Sequence, residues 1–165
     1  MQLPVTGPVE QVPTRAHDHD AGLDLRAAVD IIIPSGARAL VPAGIGVAIP
    51  AGHVGMVCPR SGLAAKHGVT VLNAPGVIDA GYRSDVGDEC RNAPGLANRV
   101  MDAGYRGGVG VVLVNHGRAA ARINRGDRIA QLVIVPVVLP QVVHVDELPP
   151  ADDGRGVGGF GSTGA

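Results

Sequence analysis

The chain has 165 residues, a formal net charge of −1, 45% hydrophobic residues and only 2% aromatic residues. This composition favours one domain with a core of Val, Ile, Leu and Ala, and the absence of a basic tail or stripe argues against binding of a nucleic-acid polymer. The first residues lack the basic start and apolar stretch of a signal peptide, and no run approaches about 20 apolar residues, so we expect a cytoplasmic protein without a membrane span.

Short runs rich in β-branched residues recur along the chain and end at Gly, Pro or Asn. They lie at 30–34, 38–50, 53–59, 68–73, 108–115, 128–140 and 142–148. Such runs are typical of strands and predict an all-β sandwich or barrel. Prolines within them, Pro42, Pro50 and Pro136, are expected at strand ends, edges or bulges. Helical periodicity is weak, and 61–68 can hold a turn or two of helix at most.

Two segments in the first half of the chain carry polar residues at unusual places. In "AGLDL", 21–25, the acidic Asp24 lies within an apolar stretch, so it needs a partner such as an arginine or a hydrated cation. In "PRSGLAAKHG", 59–68, Arg60 and Ser61 follow an apolar run, and Gly62 allows a ligand to approach the backbone closely. Both segments are candidates for ligand binding.

The composition changes after Leu148. Residues 149–165, "PPADDGRGVGGFGSTGA", are rich in Gly and Pro and cannot bury a core, so we expect a flexible C-terminal tail after a β domain at 1–148. The tail nevertheless carries an arginine, an aromatic ring and two hydroxyl groups. Together with Gly-rich backbone N–H groups, these side chains suit phosphate oxygens.

Taken in order, five segments resemble the five motifs of the trimeric deoxyuridine triphosphatase (dUTPase) family. They are "AGLDLRAA" from 21, "PRSGLA" from 59, "NAPGVIDAGYR" from 73, "RGDRIAQL" from 125 and "RGVGGFGSTG" from 155. The resemblance implies a jelly-roll-like β-clip or barrel and a homotrimer with active sites shared between subunits. It also implies hydrolysis of dUTP to dUMP and pyrophosphate with Mg²⁺, which clears dUTP and supplies dUMP for thymidylate synthesis. The related deoxycytidine triphosphate deaminases usually carry a second Ser where this chain has Gly62, so they fit less well.

The resemblance also implies roles for individual residues. Asp79 would be the catalytic base for the attacking water. Asp24 would reach Mg²⁺ through water, because Mg²⁺ keeps its waters readily. Uracil would lie in a hairpin slot after Val71, with Tyr82 beneath the deoxyribose and Phe160 stacked on the base. The complete set of implied substrate-binding residues is Arg60, Ser61, Gly62, Asn73, Val77, Ile78, Asp79, Tyr82, Gln131, Arg155, Phe160, Ser162 and Thr163.

The third motif occurs twice in the sequence. "NAPGVIDAGYR" begins at Asn73, and "NAPGLANRVMDAGYR" begins at Asn92, with "LANRVM" where the first copy has "VI". The first copy keeps the expected hairpin length, whereas the second, with Asp102 and Tyr105, runs straight into the next strand. We favour the first copy, because turn length sets strand register. Residues of about 84–106 would then form an insert that bulges outward.

The insert leaves a second function class open. A loop of this size costs only a few kcal/mol in closure entropy, so the fold can tolerate it. Activity is a separate matter, because the insert would lie beside the active site. The alternative to the enzyme is therefore a dUTPase-like nucleotide-binding or regulatory module with impaired catalysis.

Overall fold

The computed structural model describes residues 1–82 and 108–149, and these residues form an all-β fold with one short α-helix. The strands are β1 (Val5–Thr6), β2 (Leu23–Arg26), β3 (Ile31–Ile33), β4 (Arg38–Pro42), β5 (Gly46–Val47), β6 (His53–Cys58), β7 (Val69–Val71), β8 (Gly76–Asp79), β9 (Gly110–Asn115), β10 (Ala121–Ile123) and β11 (Arg128–Pro136). Helix α1 spans Ser61–His67, and a 3₁₀ turn spans Val9–Gln11. The predicted all-β class is confirmed.

Two larger sheets and two strand pairs make up the described fold. The four-stranded sheet has the order β2-β11-β6-β8, and the three-stranded sheet has the order β4-β9-β7. The pairs are β1 with β5 and β3 with β10, and all the pairings are antiparallel. The long strand β11 lies between β2 and β6, so it connects the first, second and fourth motif segments in one sheet.

The core is aliphatic, as the composition predicts. The largest fully buried apolar side chains are Leu25, Ile33, Val41, Ile45, Val69, Val111, Leu113, Ile129 and Leu132. Most of them lie on strands, where β-branched and Leu side chains pack well on a pleated surface. Tyr82, the one aromatic residue among those described, is 48% exposed and lies outside this core.

Two strands end at prolines expected there, and the helix ends next to a glycine. Pro42 and Pro136 are the last residues of β4 and β11, and Pro50 precedes the turn into β6. Helix α1 ends at His67 and is capped by Gly68, whose φ of 67° is the left-handed conformation that glycine adopts most readily. None of the described helices has the length and apolar content that a membrane-crossing helix needs.

One predicted strand is wrong. Residues 142–148 are not paired, and Val142 is 92% exposed. The apolar alternation there resembles a strand, but it follows Pro140 and has no strand partner among the described residues. Three strands of only three or four residues, β2, β8 and β10, were not predicted from the sequence as strands. Runs this short carry little periodic signal.

The hairpin expected after Val71 is also wrong. Strand β7 pairs with β9, whereas β8 pairs with β6, so the two strands belong to different sheets. The connection 72–75, which contains a cis peptide bond between Ala74 and Pro75, is a corner between sheets. Short spacing between two apolar runs predicts a hairpin only when the two strands pair with each other, and here both find other partners.

Candidate functional site

Motif segments one, two and four line a common cavity of about 780 Å³, here called the polar cavity. Of the residues predicted to bind substrate or metal, it contains Asp24, Arg60, Ser61, Gly62 and Gln131. They come from β2, the start of α1 and β11, which the four-stranded sheet and its continuation bring together. The size is that of a small-molecule site.

Arg60 enters the polar cavity at the end of β6. Its backbone is extended, with φ −102° and ψ 124°, and Ser61 begins the helix immediately after it. A Cβ on Gly62 would meet nothing within 4 Å, so the surface at this position is open to a ligand. The change from strand to helix therefore presents a guanidinium, a hydroxyl and an unobstructed backbone in three successive residues.

Asp24 lies between two guanidinium groups. Its Oδ1 is 3.1 Å from Arg60 Nε, its Oδ2 is 3.2 Å from Arg128 NH1, and its side chain is 14% exposed. A carboxylate removed this far from water needs such partners. The sequence prediction that Asp24 requires an arginine or a hydrated cation is confirmed for the arginine, and the structure supplies two.

Gln131 is held in place from two sides. Its Nε2 donates to the Pro59 carbonyl oxygen at 2.9 Å, and β11 pairs it with Asp24 on one side and with Cys58 on the other. A Cβ on Gly22 would overlap the Gln131 side-chain oxygen, so a larger residue here would have to displace this amide. Gly22 was not singled out from the sequence, because the close approach arises from strand pairing.

The first copy of the third motif lines a separate, smaller cavity of about 180 Å³, here called the slot cavity. Its walls are Val57, Asn73, Gly76, Val77, Ile78, Tyr82, Gly108, Val109, Gly110 and Val111. Asn73 is exposed and Val77 is 63% exposed, whereas Ile78 is buried, as alternation along β8 requires. The sequence thus predicted residues of this cavity that lie in 73–82. It did not predict the residues of the opposite wall, 108–111.

Glycines permit the close walls of the slot cavity. A Cβ on Gly76 would lie 3.3 Å from both Asn73 Nδ2 and Val57 Cβ. Gly108 has φ 149°, and a Cβ there would overlap the Ile45 carbonyl oxygen. The next residue, Val109, donates its N–H to that same oxygen at 2.7 Å. This contact joins 108–109, in the wall of the slot cavity, to Ile45.

Asp79 lies at the last position of β8, with its side chain exposed. A tight turn follows it, because the Tyr82 N–H donates to the Asp79 carbonyl oxygen at 3.0 Å. The turn brings Tyr82 back to the slot cavity. An exposed carboxylate next to a tyrosine wall can accept a proton from a water molecule placed there.

Within one chain the two halves of the predicted site are far apart. Asp79 pairs with Val54 near the start of β6, whereas Arg60 follows the end of that strand. Six residues of extended chain span about 20 Å. The backbones of Asp79 and Arg60 in one chain are therefore separated by about the length of β6.

Some predicted residues lie outside the described part of the chain. These are Arg155, Phe160, Ser162 and Thr163 of the tail, and Asp102 and Tyr105 of the second copy, together with the proposed insert at about 84–106. Among residues that the structure does describe, Asp20, Lys66, His67 and Arg128 line the polar cavity and were not predicted.

Comparison with known families identifies a match over almost the whole chain. A family model described as dUTPase matches residues 10–88 and 89–164. The boundary between the two parts falls between the two copies of the repeated phrase, so each copy lies in a different part.

Curated relatives share the family's name. The chain is 48% identical over 158 residues to a deoxyuridine 5′-triphosphate nucleotidohydrolase of Anaeromyxobacter sp. (strain Fw109-5), covering 96% of this chain and 90% of the relative. It is 47% identical over 157 residues to the protein of that name from Mycolicibacterium vanbaalenii, covering 93% and 87%.

Solved structures agree with this assignment. A mutant dUTPase of Staphylococcus bacteriophage 80alpha with bound dUpNHpp superposes with a TM-score of 0.76 at 26% identity, covering 99% of both chains. A mutant dUTPase of phage phi11 of S. aureus, described with a structural Mg(II) ion, has a TM-score of 0.68 at 25% identity, covering 91% of this chain and all of that one.

Proposed function

The chain belongs to the dUTPase family, and on this premise we propose that it hydrolyses dUTP to dUMP and pyrophosphate. The observation that carries the proposal is the polar cavity, in which Arg60, Ser61 and Gly62 lie beside Asp24 and Gln131. Guanidinium, hydroxyl and amide donors around an open backbone suit the oxygens of a triphosphate.

The proposed chemistry is attack of water on the α-phosphorus. Asp79 accepts a proton from the water, whose oxygen forms a bond to the α-phosphorus, and the bond from that phosphorus to the bridging oxygen breaks. Pyrophosphate leaves with the bond electrons, and dUMP remains. The exposed position of Asp79 at the end of β8 leaves room for the water and the substrate.

The proposed binding roles follow the two cavities. Arg60, Ser61, Gly62 and Gln131 hold phosphate oxygens in the polar cavity. The deoxyuridine occupies the slot cavity, whose wall residues from the first copy are Asn73, Val77, Ile78 and Tyr82. We place Arg155, Phe160, Ser162 and Thr163 of the tail on the bound nucleotide, with the ring stacked on uracil.

The polar cavity fits a hydrated Mg²⁺ that is bound mainly by the substrate. No group of three or more His, Cys, Asp or Glu that could hold a metal ion occurs within 1–82 and 108–149. Mg²⁺ commonly binds through substrate phosphates, waters and one or two carboxylates, and Asp24 with Asp20 provides that number. When bound, the ion would neutralise charge on the triphosphate, and Asp24 would contact its waters.

We further propose a homotrimer with shared active sites. The separation of Asp79 from Arg60 supports it, since residues at opposite ends of β6 meet at one substrate readily if they come from different subunits. A second observation is the run of exposed apolar side chains after β11, whose members are Val138, Leu139, Val142, Val143, Val145 and Leu148. A contact between subunits would remove these side chains from water.

A pyrophosphate-release assay with dUTP and Mg²⁺ separates the enzyme from the alternative binding module. Asp79→Asn should abolish release, because an amide cannot accept the water's proton, yet it should still bind dUpNHpp. Asp102→Asn is the matched control and should remain active if the first copy supplies the base. An active Asp79→Asn with an inactive Asp102→Asn would assign the site to the second copy. A wild-type protein that binds dUpNHpp without release would support the non-enzymatic module.

Deletion of 84–106 tests the insert. It joins Arg83 to Gly107 and leaves "NAPGVIDAGYRGGVGVVLVN", which has the uninterrupted family pattern. Release of pyrophosphate should be retained or raised, and the variant should still fold, because the described strands on either side are unchanged. Loss of activity in a folded deletion variant would show that the first copy is insufficient.

A further inference from the structure

Arg128 occupies a place in the polar cavity that the alternation of β11 does not predict. Arg128 and Gln131 are three positions apart, so in a regular strand their side chains would point to opposite faces. Both nevertheless line the polar cavity. The register explains this, because Arg128 pairs with Arg26 and Ala130 pairs with Leu25, which leaves one extra residue on β11.

This irregularity is a β-bulge. A bulge inserts one residue into a strand and re-aims the side chains beside it. Here the extra residue is Ile129, whose side chain is 1% exposed and belongs to the core. The bulge therefore keeps an apolar residue in the core and turns the neighbouring Arg128 toward Asp24.

The contacts of Arg128 form a closed ring with two predicted site residues. Arg128 NH1 lies 3.2 Å from Asp24 Oδ2, and Asp24 Oδ1 lies 3.1 Å from Arg60 Nε. Arg60 NH1 in turn donates to the Arg128 backbone carbonyl oxygen at 3.3 Å. The ring joins β2, the β6–α1 junction and β11, and Asp24 is its least exposed member.

Arg60 has N–H donors that its contacts within the protein do not use. A guanidinium has five N–H donors, and the contacts of Nε and NH1 above use two of them. The side chain of Arg60 is 27% exposed, whereas that of Arg128 is 44% exposed. Asp24 thus fixes the inner edge of the Arg60 guanidinium, while its other N–H groups can reach phosphate oxygens in the cavity.

We propose that Arg128 is a positioning residue for the reaction: it holds Asp24, and Asp24 holds Arg60 in the orientation that binds the triphosphate. The inference rests on the proposed function, since it assigns a phosphate to Arg60. Without Arg128, one oxygen of a mostly buried carboxylate loses its charged partner, and Asp24 is free to turn away from Arg60.

A double-mutant cycle on analogue binding tests the proposal. Arg128→Gln should weaken binding of dUpNHpp about tenfold in the wild-type background and less than about twofold in an Asp24→Asn background, because coupled residues act as one unit. Arg128→Lys should recover part of the loss, since a single N–H contact to Asp24 can be replaced by an ammonium. Arg38→Gln is the control, because Arg38 is also an exposed arginine at the first position of a strand, and it should change nothing.

Two results of the cycle would overturn the proposal. Equal losses in both backgrounds would mean that Arg128 acts independently of Asp24, for example by touching a phosphate itself. An Arg128→Gln variant with unchanged affinity would remove any role in binding. If Arg128→Gln does not fold, the smaller loss expected of Arg128→Lys is compared between the wild-type and Asp24→Asn backgrounds instead, with the same two contradicting outcomes.

A second measurement needs no nucleotide and therefore separates this proposal from the proposed function. The Nε–H of Arg60, assigned in a ¹⁵N NMR spectrum by its disappearance in Arg60→Lys, should exchange slowly with water in the wild type. In Arg128→Gln it should exchange several-fold faster if Arg128 fixes the ring, and in Arg128→Lys, which keeps a contact to Asp24, the rate should lie between the two. Unchanged exchange would overturn the positioning role even in a protein that binds dUpNHpp, whereas faster exchange would support it even in a protein that does not.

Discussion

Gly22 leaves room for the side chain of Gln131, which packs directly against it. The Gln131 side chain occupies the space where a Cβ would be, and the same side chain is bonded to the Pro59 carbonyl oxygen. Any larger residue at position 22 must displace the amide or the strand. A small residue in the first motif thus fixes a polar group of the fourth.

Gly22→Ala should weaken dUpNHpp binding about fivefold and lower stability by about 1–2 kcal/mol, because the added methyl overpacks the contact and moves the amide. Calorimetric titration and thermal unfolding measure the two effects. In a Gln131→Ala background the same substitution should have a smaller effect on both quantities, since the overlapping oxygen is gone and only the contact with the Cβ at 3.2 Å remains. An equal loss in both backgrounds would contradict the contact.

Asn115 joins elements at the end of β9. Its side chain is fully buried, and its Nδ2 donates to the carbonyl oxygens of Ile33 at 2.8 Å and Ala119 at 2.9 Å. Its Oδ1 accepts the N–H of Gly117 at 2.8 Å. One side chain therefore connects β9, β3 and the loop before β10, and every polar atom of the amide has a partner.

Asn115→Ala should cost about 3 kcal/mol of unfolding free energy, because it empties a fully buried site, removes the buried hydrogen bond from the amide to the Ile33 carbonyl oxygen and also removes the part-buried bonds to Ala119 and Gly117. Chemical denaturation measures this quantity. Asn124→Ala is the matched control and should cost less than about 1 kcal/mol, since Asn124 is exposed and its backbone N–H keeps the bond to Asp127. Similar costs for both variants would argue against the connecting role.

At the scale of the whole molecule, the separation of Asp79 from Arg60 has a direct consequence for assembly. In the proposed trimer, a site built from both residues is shared between subunits. Two variants that are inactive for different reasons can then regain activity when they form mixed oligomers. If each site lay within one chain, mixing the two variants would restore no activity.

Asp79→Asn and Arg60→Gln subunits, each inactive alone, should regain about a quarter of the wild-type activity when equal amounts are unfolded and refolded together, because a quarter of randomly formed interfaces combine two intact residues. Sedimentation of the mixture should show trimers. Refolding each variant by itself gives the baseline. Mixed trimers without any regained activity would place both residues of a site on the same subunit.

Local pattern was sufficient for much of the fold and for part of the site. The aliphatic core, most of the strands, the short helix after Arg60 and the need of Asp24 for a charged partner all follow from residue type and spacing. These properties depend on a few neighbouring residues, whose type and apolar periodicity can be read from the sequence. The resemblance to a family added expected roles for the motif residues, which spacing alone does not reveal.

Long-range pairing decided the remaining features. The β-bulge that turns Arg128 toward Asp24, the assignment of β7 and β8 to different sheets and the unpaired state of 142–148 depend on which strands meet. Residues 24 and 128 are distant in sequence, so no local pattern records their contact. The same reason explains why the sequence indicates two groups of site residues, while only the folded chain separates them by about 20 Å along β6.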